Sequence, residues 1–145
     1  MRALADPFLD DRDRLREILA AARTIAIVGA STETWRPSHG IAGYLKRAGY
    51  RIYPVNPTAR GERIHGETCL GSLAEVPERV DLVNVFRRPE YVPAIVEDAI
   101  AIGAPAIWLQ LGVRNQAAAE RAEAAGMKVV MDRCISVEHS RLMRG

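Results

Sequence analysis

Short apolar runs alternate with longer amphipathic segments along this chain. The runs occupy residues 24–29, 50–55, 81–86, 106–109 and 128–131. A strand that is buried on both faces has no solvent side for polar residues, so continuous apolar runs of this length are typical of parallel sheets. Their alternation with helical segments favours the same arrangement, because each right-handed crossover returns the chain in the same direction.

The segments between the runs are predicted to be helices. We expect them at residues 10–22, 38–48, 89–102, 115–125 and 135–143, where apolar side chains recur on one helical face. Ser38 and Asn115 are the predicted N-caps of two of these helices, and Pro89 fits the first turn of a third. Ser72 and Glu75 match a capping box and predict one more short helix.

These elements predict an α/β fold with a doubly wound, parallel, five-stranded sheet and helices on both faces. The expected strand order is 3-2-1-4-5, with a segment near Ile64 as a weak edge strand. The length of 145 residues is enough for one domain and too short for two. We therefore expect a single domain over residues 1–145, in which residues 1–9 form a loosely ordered arm.

The composition excludes several classes of protein. A hydrophobic content of 48% and a net charge of +2 exclude an intrinsically disordered chain, and that charge is too low for a nucleic-acid-binding protein. No apolar run approaches the roughly 18 residues of a membrane-spanning helix. Two cysteines without a metal-ligand motif predict no metal site. They also fit a reducing compartment, so the cytoplasm is the expected location.

Small and polar residues follow the predicted strands, where open parallel sheets bind their ligands. The first run ends in Gly29, Ala30 and Ser31. Their small side chains let the backbone approach a phosphate beside the N-terminus of the next helix. Arg36 and Ser38 continue this loop, so we predict that it binds part of an anionic ligand.

The fingerprint of a nicotinamide-binding site is absent. Gly29 is not followed by the further glycines of a G-x-G-x-x-G motif. Asn56 and Pro57 stand where an acidic residue would bind the ribose hydroxyl groups. A site without that carboxylate accepts a more anionic ligand.

Arg87 and Arg88 directly follow the third apolar run. Adjacent cations repel each other unless an anion lies between them, and guanidinium groups suit bidentate contacts with phosphate. A solvated pair near Glu90 is the alternative interpretation. His39, at a predicted helix start, is a candidate phosphate ligand and equally a candidate surface residue.

Cys134 is the one candidate catalytic residue. It lies between the last run and the closing helix, where a helix N-terminus can lower the pKa of a thiol. A small buried side chain is the competing interpretation. Trp35 either lies over a ligand or covers the edge of the sheet, whereas Cys69 and Trp108 are predicted to pack in the core.

Seven segments together resemble one known family, and they lie at residues 27–31, 36–40, 49–57, 66–69, 85–89, 108–113 and 131–134. The runs Val-Phe-Arg-Arg-Pro at 85–89 and Met-Asp-Arg-Cys at 131–134 are the most specific of them. The chain resembles the small stand-alone CoA-binding proteins, which have a Rossmann-like fold. These are relatives of the CoA-binding domain in the α subunit of succinyl-CoA synthetase, and the resemblance spans residues 10–145.

The resemblance implies that coenzyme A binds across the carboxyl ends of the strands. Residues 29–31 with Ser38 would hold the pyrophosphate, and Arg51 or a neighbour would meet the ribose 3′-phosphate. The remaining implied contacts come from Val55, Asn56 and Pro57 around the adenosine, and from Phe86, Arg87 and Arg88. The ligase relative carries its phosphorylated histidine on a second domain, for which these 145 residues have no room, so ligase activity is not implied.

Three functions are open at this point. The first is a non-catalytic binding, carrier or regulatory module for CoA or acyl-CoA, because no acid–base or nucleophile constellation is visible and the chain is expected not to be an enzyme. The second is an NAD(P)-dependent oxidoreductase, and the third is a thiol enzyme that acts on CoA through Cys134. Neither nucleic acid nor a membrane is an expected partner. Trp108 and Leu111 near a predicted sheet edge leave a homodimer open, and a carrier or regulatory role leaves an enzyme partner open.

Overall fold

The computed structural model describes residues 12–143, so the predicted N-terminal arm and residues 10 and 11 lie outside the described range. The helices are α1 (Arg12–Ala21), α2 (Pro37–Arg47), α3 (Val92–Ala101), α4 (Gln116–Ala124) and α5 (Ile135–Met143). The strands are β1 (Thr24–Val28), β2 (Arg51–Val55), β3 (Arg63–Ile64), β4 (Glu67–Thr68), β5 (Leu82–Val85), β6 (Ala106–Leu109) and β7 (Lys128–Val130).

Five of these strands form one parallel sheet, in the order β2-β1-β5-β6-β7. The register places Ile27 of the inner strand β1 between Pro54 of β2 and Asn84 of β5. This confirms the doubly wound α/β fold. The expected strand order of 3-2-1-4-5 is wrong, because the five strands of the sheet, numbered along the chain, stand in the order 2-1-3-4-5. The chain runs outward in one direction from β1 to β2 and in the other from β5 to β7. The switch point, where ligands bind in such sheets, therefore lies at the carboxyl ends of β1 and β5.

The sequence suggested a weak edge strand of this sheet near Ile64, but the structure shows that this segment is not part of the sheet. β3 and β4 pair antiparallel with each other, and a single bridge between Val55 and Leu70 connects this region to β2. His65 and Gly66 both have positive φ angles, of 50° and 82°. Two such residues make the tight turn of a hairpin, so the chain folds back on itself instead of running along β2.

Alternate residues of the strands pack into two cores, one on each face of the sheet. On β1, Ile25 and Ile27 contribute to the core under α1, α2 and α5, whereas Ala26 and Val28 contribute to the core under α3 and α4. Every residue of β1 is buried, which explains the absence of polar alternation in its sequence. Trp108 is fully buried in the first core. It is therefore a core residue, and it offers no surface for a dimer.

Most predicted helix ends agree with the structure. The side chain of Asn115 accepts a hydrogen bond from the Ala118 N–H at 3.0 Å, as expected of the N-cap of α4. Ser38 is not the N-cap of α2, because Pro37 begins the helix and Arg36 occupies the cap position without a side-chain bond. Proline suits the first helical position, so it starts the helix earlier.

Two further predicted helices begin with tighter turns. Pro89–Tyr91 forms a 3-10 turn ahead of α3, and the capping-box segment forms only the 3-10 turn Leu73–Glu75. Within residues 12–143, no helix has the length and apolar content that crossing a membrane requires.

Candidate ligand-binding crevice

A crevice of about 510 Å³ opens at the carboxyl ends of β1, β2 and β5, which is the switch point of the sheet. The structure brings together there a large part of the predicted site. These residues are Gly29, Ser31, Arg36, Asn56, Phe86, Arg87 and Arg88. The crevice thus combines a small-residue loop with three arginines, as the strand ends of the sequence predicted.

Gly29 forms part of the crevice at the end of β1, with a φ of +91°. Its N–H donates to the carbonyl of Val55 at 2.9 Å, and the N–H of Phe86 donates to the carbonyl of Val28 at 2.8 Å. A Cβ atom on Gly29 would lie 2.9 Å from the carbonyl oxygen of Phe86. Glycine is therefore required both by the backbone conformation and by the close approach of the two chain segments.

The loop between β1 and α2 is held by local hydrogen bonds. The Oγ of Ser31 accepts from the N–H of Glu33 at 3.0 Å, and the N–H of Arg36 donates to the carbonyl of Glu33 at 3.1 Å. The guanidinium of Arg36 lies 3.3 Å from the Glu33 carboxylate and 4.6 Å from the ring centre of Trp35. The loop thus holds the Arg36 guanidinium between Glu33 and Trp35, at the side of the crevice.

The aliphatic part of the Arg87 side chain lies against Gly29, and its guanidinium stacks on the ring of Tyr91. Its Cδ lies 3.1 Å from the position that a Gly29 Cβ would occupy, and its guanidinium carbon lies 4.3 Å from the ring centre of Tyr91. Among the described residues, neither Arg87 nor Arg88 forms an ion pair, with Glu90 or with any other acid. Their charges are therefore available to an anion.

Asn56 holds the second wall of the crevice. Its Nδ2 donates to the carbonyl of Ala30 at 2.8 Å, and its Oδ1 accepts from the N–H and the Oγ1 of Thr58, at 3.0 and 2.8 Å. The amide thus ties the end of β2 to the loop after β1. Ala30 and Val55 are buried and contribute backbone carbonyls to this arrangement.

Arg51 lies at the opposite end of the sheet from the crevice. It is the first residue of β2 and pairs in register with Thr24, the first residue of β1. Four residues of extended chain separate it from Val55, or about 13 Å. Its guanidinium lies 2.7 Å from the Glu78 carboxylate, in a separate groove of about 1120 Å³. The structure therefore does not bring Arg51 to the predicted site.

Five other predicted residues lie outside the crevice lining, and two of them are the buried Ala30 and Val55 described above. Ser38 is buried in the first turn of α2, and Pro57 begins the exposed 3-10 turn after β2. The ring of His39 lies against that of His65, with 4.3 Å between the ring centres. Partial burial and then the nearby His65 lower the pKa of His39, so this side chain favours its neutral form.

Several residues of the crevice escaped the sequence analysis, namely Thr32, Glu33, Thr58, Ala59, Glu62 and Tyr91. Glu62 matters most, because it supplies a carboxylate at the β2 side, where the sequence had shown only Asn56 and Pro57. The loop that leads into the β3–β4 hairpin brings it there. The signal in the sequence was the Gly61-Glu62 turn. It was missed because the sequence analysis considered only the residues that directly follow each strand.

Cys134 lies at the same edge of the sheet, immediately before α5, and is not among the residues that line the crevice. Its Sγ lies 3.3 Å from the Oγ of Ser136. Partial burial disfavours the thiolate, but hydrogen bonds from Ser136, the Val137 N–H and Gln110 outweigh it and lower the pKa of Cys134. Cys69, in contrast, is buried in the core as predicted, and burial raises its pKa.

The fold and the crevice together define a class: a Rossmann-like α/β domain whose site at the switch point has a glycine turn and cationic walls. Residues 23–140 match the family model described as "CoA binding domain". The chain therefore belongs to this CoA binding domain family.

Known relatives include both small proteins and large ligases. The chain is 39% identical over 126 residues to the uncharacterized protein YneT of Bacillus subtilis, which covers 87% of this chain and 92% of that protein. It is also 30% identical over 83 residues to the ADP-forming acetate–CoA ligase II of Archaeoglobus fulgidus, covering 56% of this chain and 12% of the ligase. The chain thus matches only a small part of the ligase.

Solved structures agree with this assignment. A Thermus thermophilus protein described as cell-free ID.343 is 40% identical, with a TM-score of 0.86 over 92% of this chain and 99% of that one. A hypothetical protein from Pyrococcus horikoshii OT3 is 36% identical, with a TM-score of 0.87 over 92% of each chain. The whole domain, crevice included, therefore follows an established fold.

Proposed function

We propose that this protein binds coenzyme A, or an acyl-CoA, in the crevice at the carboxyl ends of β1, β2 and β5. The observation that carries the proposal is the pair of guanidinium groups on Arg87 and Arg88, which lie beside Gly29 at the switch point without an acidic partner among residues 12–143. In a member of a CoA binding family, the diphosphate of CoA is the anion that suits them.

The two ends of the crevice suit different parts of the ligand. Arg36, Arg87 and Arg88 meet the diphosphate, and the loop after Gly29 gives it room to approach the backbone. Thr58 and Glu62 line the β2 end, where their oxygens accept hydrogen bonds from the adenosine. The ligand therefore lies across the strand ends, with its adenosine toward β2.

We assign the protein a binding, carrier or regulatory role rather than a catalytic one. The residues that line the crevice include no cysteine or histidine, and the Ser31 hydroxyl already accepts a hydrogen bond from the chain. Catalysis by nucleophile and base requires two such groups within hydrogen-bonding reach of each other. Simple binding needs only the arrangement described here.

If the domain binds CoA as proposed, its protein partner would be an enzyme that uses CoA. In the acetate–CoA ligases of Archaeoglobus fulgidus, the matching segment makes up 12% and 20% of the polypeptide. A domain of this kind that holds CoA would present it to a separate enzyme, in the cytoplasm, without contact to nucleic acid or membrane. The ligand itself is a small molecule bound one to one.

Calorimetric titration tests the proposal. We expect the wild-type protein to bind CoA in a 1:1 ratio and in preference to NAD or ATP. Arg87→Gln should weaken CoA binding about ten-fold or more, since a hydrogen bond to a charged group contributes about 1.5–3 kcal/mol.

Arg51→Gln is the control, because it removes a guanidinium from the surface at the other end of the sheet. Its affinity for CoA should equal that of the wild type. Tighter binding of NAD than of CoA would favour an oxidoreductase instead. No CoA binding at millimolar concentration, or an equal loss in both variants, contradicts the proposed site.

A further inference from the structure

Two arginines of the crevice are each stacked on an exposed aromatic ring. The guanidinium carbon of Arg36 lies 4.6 Å from the ring centre of Trp35, and that of Arg87 lies 4.3 Å from the ring centre of Tyr91. One pair belongs to the connection from β1 to α2 and the other to the connection from β5 to α3. These helices cover opposite faces of the sheet, so the pairs flank the crevice from its two sides.

Neither ring has a role in the core. The exposed fraction is 71% for Trp35 and 43% for Tyr91, and both lie among the few large apolar side chains that face solvent in the described residues. Exposed aromatic side chains of this kind contribute little to folding. Their close contacts with the two arginines are therefore the interactions that need an explanation.

We propose that Trp35 and Tyr91 are positioning residues that hold Arg36 and Arg87 in place for a diphosphate group. This inference rests on the proposed function and extends it to residues outside the family's motif segments. Stacking occupies the flat face of a guanidinium and leaves its N–H edge free for bidentate contacts with phosphate. It also restricts a long side chain before the ligand arrives, so that less conformational entropy is lost on binding.

The arrangement favours a diphosphate over a single phosphate. The two stacked arginines line the same crevice and come from connections that lead to helices on opposite faces of the sheet. A lone phosphate would engage one held guanidinium, whereas two linked phosphates engage both. Glu33 also holds Arg36, because its carboxylate accepts a hydrogen bond from the Arg36 Nε at 3.3 Å, and the two terminal nitrogens of the guanidinium are then the ones that meet a phosphate.

Arg88 provides an internal comparison. It lines the same crevice and is exposed, but no aromatic ring stacks on it in the described part of the chain. Lysine keeps the charge of an arginine but loses its planar, stackable group. Arg88→Lys loses only a bidentate contact, whereas Arg87→Lys loses that contact and the stacking as well, so Arg87→Lys should weaken CoA binding several-fold more than Arg88→Lys.

The decisive experiment compares leucine and phenylalanine at each ring. CoA is titrated into the wild type and into Trp35→Leu, Trp35→Phe, Tyr91→Leu and Tyr91→Phe, with the melting temperature of each variant as a check of folding. We expect about ten-fold weaker binding for the leucine variants and less than about three-fold for the phenylalanine variants. Adenosine 3′,5′-bisphosphate, which lacks the diphosphate, should bind all five proteins with affinities within about two-fold.

Each outcome decides the question. Leucine variants that bind CoA like the wild type, or phenylalanine variants that lose as much as leucine variants, overturn the positioning role alone. A wild-type protein that binds no CoA overturns the proposed function and this inference with it. If a leucine variant fails to fold, the two lysine variants decide: a clearly larger loss at Arg87 than at Arg88 supports the inference, and equal losses at Arg87 and Arg88 overturn it.

Discussion

Gly29 shows how much of the site depends on the absence of a single side chain. Its φ of +91° is open to few other residues, and its Cα lies against the backbone of Phe86 and the stem of Arg87. The end of β1, the turn that follows it and the Arg87 side chain are in contact at Gly29. A methyl group there would disturb the backbone and the ligand contact at once.

Gly29→Ala should therefore lower both the free energy of unfolding and the affinity for CoA. We expect a loss of about 2–4 kcal/mol in urea unfolding, from the positive φ and from the contact of 2.9 Å that the new Cβ would make with the Phe86 carbonyl. Gly49→Ala is the matched control, because Gly49 has a φ of +106° and no atom within 4 Å of its Cβ position. Equal effects of the two substitutions on CoA affinity would contradict this account.

The two cysteines should differ in reactivity. Burial raises the pKa of Cys69, whereas hydrogen bonds at the start of α5 lower that of Cys134 despite its partial burial. The thiolate is the reactive form, so iodoacetamide near pH 7.5 should modify Cys134 first. Mass spectrometry of the alkylated peptides measures the order, and Cys134→Ser should abolish the fast phase. Faster labelling of Cys69 would contradict this account.

At the scale of elements, the packing of α2 against the β3–β4 hairpin holds a pair of histidines together. The Nε2 of His65 contacts the carbonyl of His39 at 2.6 Å, and the imidazole rings stack obliquely. Lys46 of α2 also donates to the carbonyl of His65 at 2.6 Å and pairs with Glu67 at 2.9 Å. Lys46 already brings one positive charge to this contact, so protonation of His39 would add a second one and would be unfavourable.

Stability should consequently fall when His39 becomes protonated. Its pKa is lowered in the folded protein, first by burial and then by His65, so the unfolded chain binds the proton more tightly. The stabilisation is complete above the unfolded pKa of about 6.5 and decreases as the pH falls below it. Urea unfolding at pH 7.5 and 5.5 measures the loss. His39→Gln should show a smaller pH dependence, and an unchanged dependence would exclude His39 as its source.

The strands and helices of the main sheet could be predicted because each follows a local pattern. The β1 run is apolar throughout since both its faces are covered, and Asn115 caps α4 through a bond within its own first turn. The hairpin of β3 and β4 could not be predicted, because it depends on His65 adopting a positive φ, which is uncommon for residues other than glycine. Patterns of neighbouring residues thus predict a strand or a helix better than they predict the turn between two strands.

At the scale of the whole molecule, the site could be predicted where it followed the strand ends. Arg87 and Arg88 follow β5 directly, so their position required only the direction of that strand. Arg51 was misplaced because it begins β2 rather than ending it, and Glu62 was missed because a loop returns it to the crevice. Position along a strand decides which end of the molecule a side chain reaches, and residue type alone does not.

The outer side of β2 has one more consequence for the whole molecule. Pro54 has no N–H to offer there, its carbonyl accepts from the N–H of Leu70, and the carbonyl of Leu70 accepts from the N–H of Asn56, both at 2.9 Å. The backbone groups that another strand would need beside Pro54 and Asn56 are therefore already occupied or missing. A second copy of the chain cannot pair along this part of β2, which removes one route to aggregation at high concentration.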